Sequence, residues 1–97
     1  MLFSIVCTDR QNGFETRLAT RAQHLAHLEK HKNIIRFAGP MLDEEEKPCG
    51  SLIMIDVDNP SAADVFAAAD PYTKAGLFES VIIRAVKTVF RDGNRVE

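Results

Sequence analysis

The residues best suited to chemistry lie along one stretch of the chain, between residues 16 and 31. Arg17, Arg21, His24, Leu28 and His31 follow one another at intervals of four, three, four and three residues. In a helix this spacing places them on one stripe of the surface. The two guanidinium groups could bind an anionic ligand, and an imidazole gains and loses its proton near neutral pH. The stripe therefore predicts an anion-binding, proton-transferring site around His24.

A second interpretation of this stripe involves no function. Charged residues on the flank of an amphipathic helix usually form a solvated border. This interpretation applies most strongly to His27 and His31. His27 projects away from the apolar residues of the helix, and His31 lies at its C-terminal end, where the helix dipole favours an imidazolium. We therefore expect His24 to be the histidine of the site.

The segment Asp70-Pro71-Tyr72 contains the second group of candidates. A carboxylate between a helix and a following loop is displayed at an element terminus, where functional groups are common. The same Asp70 could equally cap a following helical turn, because Asp followed by Pro is a favourable helix start. Tyr72, the only tyrosine, could offer a hydroxyl donor or pack its ring beneath the loop.

The chain has none of the strong motifs of common enzyme classes, such as a Gly-rich phosphate loop, a nucleophile elbow or an HExxH helix. Cys7 and Cys49 belong to no CxxC or Cys/His spacing, and Cys7 falls in a strand-like run. We expect two reduced thiols rather than a disulfide or a zinc site. The sequence predicts no metal and no cofactor.

The length and net charge of the chain limit the kinds of partner that it is expected to bind. A chain of 97 residues forms one domain with a modest core, for which oligomerisation would bury more apolar surface. Its formal net charge of −2 lacks the basic excess that nucleic-acid binding uses. The longest apolar run, Val65 to Ala69, is far too short to span a membrane, and the apolar N-terminus has no basic leader. We expect a cytoplasmic protein that binds neither nucleic acid nor membrane.

Six segments must position the candidate residues. Apolar, β-branched and aromatic patterns predict strands at residues 2–8, 34–38, 51–57 and 80–89, and helices at residues 16–31 and 61–69. In the first helix, Leu18, Ala22, Leu25 and Ala26 recur at helical spacing and predict its apolar face.

Local signals predict where these elements begin and end. Gly39-Pro40 is expected to close the second strand, and residues 43–48 to form a solvated hairpin loop. Ser61 and Asp64 resemble a capping box at the start of the second helix. The polar residues 91–97 are expected to form a flexible tail.

The predicted order is βαββαβ, the pattern of ferredoxin-like α+β folds with a four-stranded antiparallel sheet. Two helices cover only one face of such a sheet. The strands nevertheless carry apolar residues at both parities, for example Ile53 and Ile55 against Leu52 and Met54. A sheet with one solvated face alternates more cleanly, so this pattern predicts a second copy of the chain on the open face.

Blocks spread along the chain resemble those of the YciI-like (YCII-related) proteins. They are Cys7-Thr8-Asp9, Arg17 and Arg21 before His24-Leu25, Ala38-Gly39-Pro40, Gly50-Ser51-Leu52, Asp70-Pro71-Tyr72, Ala75-Gly76-Leu77-Phe78, and Val81, Ile83 and Arg84. These blocks cover nearly the whole chain in the order and spacing of the family. The resemblance implies one YciI-like domain over residues 1–97, whose sheet pairs with a second copy to form a dimeric α+β barrel.

The resemblance also implies a site. In that family the histidine of an HL motif and the aspartate of a DPY motif are proposed to form an active-site pair, which corresponds to His24 and Asp70. Arg17 or Arg21 would line the same pocket, with Ser51 and Tyr72 as further substrate-binding residues. One relative is a dehydrochlorinase acting on a chlorinated hydroxyquinol. This chain differs from many relatives at Ala85-Val86, where a proline and an aromatic residue are usual.

Together these observations predict a homodimer that binds a small anionic or phenolic molecule. His24 and Asp70 would carry acid/base chemistry of the isomerisation, elimination or dehalogenation type. Two alternatives from other classes remain. A ligand-binding module would use the same pocket without turnover, and an accessory dimerisation subunit would need no titratable pair.

Overall fold

A computed structural model describes all 97 residues as one antiparallel sheet, three helices and a small terminal hairpin. The elements in chain order are β1 (Leu2–Asp9), α1 (Phe14–Lys30), β2 (Ile35–Leu42), β3 (Pro48–Asp56), α2 (Pro60–Ala69), α3 (Pro71–Lys74), β4 (Phe78–Val86), β5 (Phe90–Arg91) and β6 (Asn94–Arg95). The four-stranded sheet has the order β2-β3-β1-β4. The predicted ferredoxin-like α+β fold is therefore confirmed.

The hydrophobic core lies between α2 and the central strands of the sheet. Alternate residues of β1 and β3 point toward the helices and are buried, as the period of two in a strand requires. The core residues are Phe3, Ile5 and Cys7 of β1, Ile53 and Ile55 of β3, and Ala63, Phe66 and Ala67 of α2. No large apolar residue of α1 is among these core residues, so the buried side of α1 is not part of this core cluster.

The other face of the sheet carries apolar residues without a covering helix. Val6 pairs with Leu52 on one side and with Ile82 on the other, so all three side chains share this face. The Ile82 side chain is 46% exposed and Phe37 of β2 is 54% exposed. The single chain therefore leaves an apolar sheet surface in contact with water.

The second strand is longer than the sequence predicts. β2 does not close at Gly39-Pro40 but continues to Leu42, with Pro40 paired opposite Ser51 of β3. This expectation was wrong because β2 is an edge strand. An edge position tolerates a proline, which offers no N–H to a further strand.

Further expected boundaries differ, such as the end of β4, which lies at Val86 and not at residue 89. α2 begins at Pro60, and its cap is Asn59, whose Oδ1 accepts a hydrogen bond from the Ala62 N–H at 2.9 Å. The capping box at Ser61 was wrong because proline at the first helical position starts the helix earlier. At the C-terminus, the structure forms the β5–β6 hairpin within the expected tail. Asp92 and Gly93 make its tight turn, both with positive φ.

The buried face of α1 is polar. Arg17, Thr20 and His24 are buried, whereas Leu18 is 57% and Leu25 is 42% exposed. The predicted apolar face of this helix is therefore not its buried face. The physical reason is that Arg17 and His24 meet hydrogen-bond partners outside α1, while the leucines border a cleft. None of the helices is long and apolar enough to cross a membrane.

Candidate active site

A cleft of about 380 Å³ lies between α1 and the β2–β3 side of the sheet. Five of the six predicted site residues line it, namely Arg17, Arg21, His24, Ser51 and Tyr72. The apolar walls include Phe14, Leu18 and Leu25 of α1, which the sequence analysis did not assign to the site. Their exposed apolar surface is explained by this cleft, because an open pocket wall remains in contact with water.

The sixth predicted residue, Asp70, lies behind His24 and does not line the cleft. Its Oδ1 is 2.8 Å from His24 Nδ1, and both side chains are buried. A carboxylate only accepts, so this hydrogen bond assigns the proton of a neutral imidazole to Nδ1. The opposite nitrogen, Nε2, is then the one available to a molecule in the cleft. Asp70 thus acts on the cleft through the side chains it holds and not by direct contact with a ligand.

Asp70 is also the N-cap of α3. The same Oδ1 accepts a hydrogen bond from the Tyr72 N–H at 2.9 Å. The sequence left open whether Asp70 caps a helical turn or faces the histidine, and the structure shows that one oxygen does both. The cap holds the carboxylate in place, because its backbone donor belongs to a rigid helical turn with proline at its first position.

Tyr72 connects the histidine to the first arginine. Its ring stacks on the His24 imidazole, with centroids 4.0 Å apart and planes 18° apart. The Arg17 guanidinium carbon lies 4.6 Å from the centroid of the same ring. Burial raises the pKa of Tyr72, against the opposing effect of Arg17 and Arg21. The Tyr72 hydroxyl therefore stays protonated at neutral pH and can donate a hydrogen bond.

Arg17 is held by Asp9, a residue that the sequence analysis did not assign to the site. Nε and Nη2 of Arg17 donate to the two carboxylate oxygens of Asp9 at 2.7 and 2.8 Å, and Nη2 also donates to Ser51 Oγ at 3.0 Å. Burial alone would lower the pKa of Arg17, but the hydrogen bonds with Asp9 raise it above its ordinary value. Arg17 is therefore a permanent cation. The feature of the sequence that could have indicated this role is the position of Asp9 at the end of the first strand.

Arg21 lies one helical turn from Arg17 and differs from it in exposure and in ion pairing. It lines the cleft but is exposed. None of the salt bridges of the chain includes it. The cleft thus has one neutralised guanidinium at its base and one free guanidinium at its edge.

His27 does not point away from the interior as expected. Its ring packs on Phe66 of α2, with centroids 4.8 Å apart, and its Nε2 is buried without a hydrogen-bond partner. Burial lowers the pKa of His27. The orientation of His27 was predicted wrongly because the leucines of α1 do not mark its buried side. These leucines line the cleft, and another side of α1 faces α2. His31 lies at the C-cap of α1, where it was predicted.

Both cysteines are free, Cys7 buried and Cys49 exposed. Burial, reinforced by the charge of Asp70, raises the pKa of the Cys7 thiol to about 12. Cys7 therefore stays protonated at neutral pH and is not a nucleophile. No group of three or more His, Cys, Asp or Glu side chains converges to hold a metal ion.

Comparison with known proteins identifies the family. The model of the YCII-related domain matches residues 1–87. An uncharacterised protein of Haemophilus influenzae is 38% identical, and protein YciI of Escherichia coli is 34% identical. In both alignments 93% of this chain and 100% of the relative are covered. This chain belongs to the YCII-related family.

The solved structures similar to this fold include two of different kinds. One is the 5-chloro-2-hydroxyhydroquinone dehydrochlorinase TftG from Burkholderia phenoliruptrix, in complex with 2,5-dihydroxybenzoquinone. It has a TM-score of 0.84 and 34% sequence identity, with 90% of this chain and 94% of that chain covered. The other, an antibiotic biosynthesis monooxygenase, has a TM-score of 0.51 and 13% identity over 91% of this chain and 100% of that chain. The second likeness concerns the fold alone.

Proposed function

We propose that the protein is a homodimeric enzyme that uses His24 as a general acid/base on a small anionic or phenolic molecule bound in the cleft. The observation that carries this proposal is the 2.8 Å contact between His24 Nδ1 and Asp70 Oδ1, made by buried side chains behind an open cleft. A buried carboxylate fixes the tautomer of the imidazole and stabilises its charged form during proton transfer. In this proposal Nε2 exchanges the proton with the ligand.

The shape and charge of the cleft favour a planar, electron-rich ligand. Apolar side chains and the Tyr72 ring offer surface for an aromatic ring, while Arg21 offers a cation for a phenolate or carboxylate. The similarity to a dehydrochlorinase over 90% of the chain supports the same class of ligand. We therefore propose a hydroxylated or chlorinated ring compound as the substrate.

The chemistry of such a substrate fits the residues present. Loss of hydrogen chloride from a chlorinated hydroxyquinol removes one proton and one chloride from the same molecule. The electron pairs of two broken O–H bonds form two C=O groups. One of the two protons is transferred to the ring carbon that bears chlorine, the other leaves the molecule, and chloride departs with the electron pair of the C–Cl bond. This reaction needs a group that accepts and donates protons, and it needs no oxidant. His24 would supply that group, and the proton it retains would pass to water after product release.

The homodimer in this proposal rests on the open face of the sheet. Val6, Leu52 and Ile82 form a continuous apolar surface that no helix of the chain covers. A chain of this length has a modest core, and a second sheet on this face would bury additional apolar area at about 25 cal/mol per Å². We propose that two copies pack through these faces as a dimeric α+β barrel.

A chloride-release assay tests the catalytic part. The purified protein is incubated under nitrogen with 5-chloro-2-hydroxyhydroquinone, and chloride is measured with an ion-selective electrode. The wild-type protein should release chloride, and His24→Gln should reduce the rate at least about a hundredfold. His31→Gln is the matched control, because His31 lies on the same helix outside the cleft, and it should retain the rate. Ligand binding without chloride release would favour a binding module and overturn the proposed elimination.

A further inference from the structure

We propose that the two arginines of α1 have separate tasks: Arg21 binds the anionic group of the ligand, and Arg17 with Asp9 is a positioning pair that holds Tyr72 against His24. This inference deepens the proposed function and rests on it for the role of His24. It assigns the ligand to one class, small planar molecules whose anionic group lies beside the proton-transfer position.

The positive charge of Arg17 is already paired with Asp9, so little of it is available to a ligand. Its Nε and Nη2 donate to both oxygens of Asp9 at 2.7 and 2.8 Å, and the two side chains are only 6% and 7% exposed. Such a two-point contact in a desolvated site neutralises both partners at short range. Ser51 takes a further hydrogen bond from Nη2. An anion in the cleft would meet a neutral pair here rather than a free cation.

What Arg17 does offer is a fixed planar group against the aromatic ring of the site. Its guanidinium carbon lies 4.6 Å from the Tyr72 centroid, a distance typical of a cation–π contact, and burial strengthens such contacts. The Tyr72 ring in turn stacks on His24 at 4.0 Å. The contacts therefore run from Asp9 through Arg17 and Tyr72 to His24. Asp9 acts on the imidazole through two other side chains.

Arg21 has the opposite properties. It is exposed at the edge of the cleft and belongs to none of the salt bridges of the chain. It precedes His24 by three residues on α1, so the two side chains are neighbours on the helix surface. An anionic group held by Arg21 would place the rest of a small ring beside His24. Adjacent turns of one helix then supply the residue that binds the anionic group of the ligand and the residue that transfers the proton.

The experiment measures binding of 2,5-dihydroxybenzoquinone to the full chain by quenching of tyrosine fluorescence. Tyr72 is the only tyrosine and the chain has no tryptophan, so the emission reports on the site directly. Arg21→Gln should weaken binding at least about tenfold and remove its dependence on ionic strength. The double variant Asp9→Asn with Arg17→Gln should weaken binding less, retain the salt dependence and alter Tyr72 emission in the free protein.

Arg17→Lys provides a second variant should the double variant fail to fold. Lysine keeps the charge but cannot make the two-point contact with Asp9, so it should change Tyr72 emission while the salt dependence of binding remains. In the chloride-release assay, Arg21→Gln should raise KM and Arg17→Lys should lower kcat. A double variant that loses the salt dependence while Arg21→Gln retains it would overturn this division. Because binding needs no turnover, that result is distinct from an absence of chloride release.

Discussion

Asp70 substitutions separate the geometry of the His24/Asp70 pair from its charge. Oδ1 of Asp70 serves both the His24 ring and the Tyr72 N–H. In Asp70→Asn the amide nitrogen cannot take this position, because it would place a donor against the Tyr72 N–H. The carbonyl oxygen therefore occupies it and accepts both hydrogen bonds. Asp70→Asn keeps the contacts and loses the charge, whereas Asp70→Ala loses both.

The two substitutions should differ clearly in stability. Alanine removes a helix cap worth about 1 kcal/mol and leaves a buried imidazole N–H without an acceptor, which costs about 1 to 3 kcal/mol. The free energy of unfolding should fall by about 2 to 4 kcal/mol, and Tm by about 10 to 30 °C for a domain of this size. Asparagine retains both hydrogen bonds and should cost about 1 kcal/mol or less. Its effect should appear in the reaction instead, with a loss of about a hundredfold or more in rate.

Thermal unfolding followed by circular dichroism measures the first effect, with all variants at the same protein concentration so that the proposed dimerisation contributes equally to each. The chloride-release assay measures the second effect. If asparagine destabilises the protein as much as alanine, the shared-oxygen geometry is refuted. If asparagine leaves the rate of chloride release unchanged, the carboxylate charge has no part in proton transfer, and Asp70 serves His24 only through the hydrogen bond that asparagine retains.

Three further predictions concern assembly, thiols and pH. Ile82→Lys places a charge on the open sheet face and should convert the proposed dimer to a less stable monomer, with the change in mass measured by light scattering. A folded wild-type monomer at micromolar concentration would contradict the barrel. In a thiol titration of the native protein without reductant, Cys49 should react quickly and Cys7 only after unfolding, whereas a count of zero after unfolding would indicate a disulfide. The folded state lowers the pKa of His27, so the stability that its neutral form contributes should be present above the unfolded pKa of about 6.5 and decline as pH falls below it. His27→Leu should reduce this decline in melts between about pH 7.5 and 5, and parallel profiles for both proteins would exclude His27 as its source.

Local patterns predicted the fold well where local physics decides the structure. The β-branched and aromatic residues of segment 2–8 predicted a strand, and Phe3, Ile5 and Cys7 are buried on one face of β1. The proline and aspartate that interrupt the chain predicted the end of α2 at Ala69, where the structure ends it. The expected end of β2 at Gly39-Pro40 was wrong for a non-local reason. Whether a proline ends a strand depends on whether that strand lies at the edge of the sheet, which no local pattern records.

The residues of the candidate site were predicted by type, but of the contacts among them only the His24/Asp70 pair was expected, and that expectation came from the family resemblance. The spacing of Arg17, Arg21 and His24 indicated one stripe of a helix but could not distinguish the two arginines. Asp9 separates them, because it lies at the end of β1 where it reaches Arg17 and not Arg21. A contact between the end of a strand and a helix depends on how the two elements pack, which helical periodicity does not describe.

Local signals in the sequence predicted the order of the main strands and helices and the residue types available to a site, since hydrophobic period, turn residues and capping groups act within a few residues. The family was indicated separately, by blocks of residues that resemble those of the YciI-like proteins. Packing between distant elements explains why α1 buries its polar residues and leaves its leucines at a cleft. Burial of Arg17 and His24 is favourable only because Asp9 and Asp70 meet them from distant parts of the chain, and a buried charge without such a partner would be strongly unfavourable.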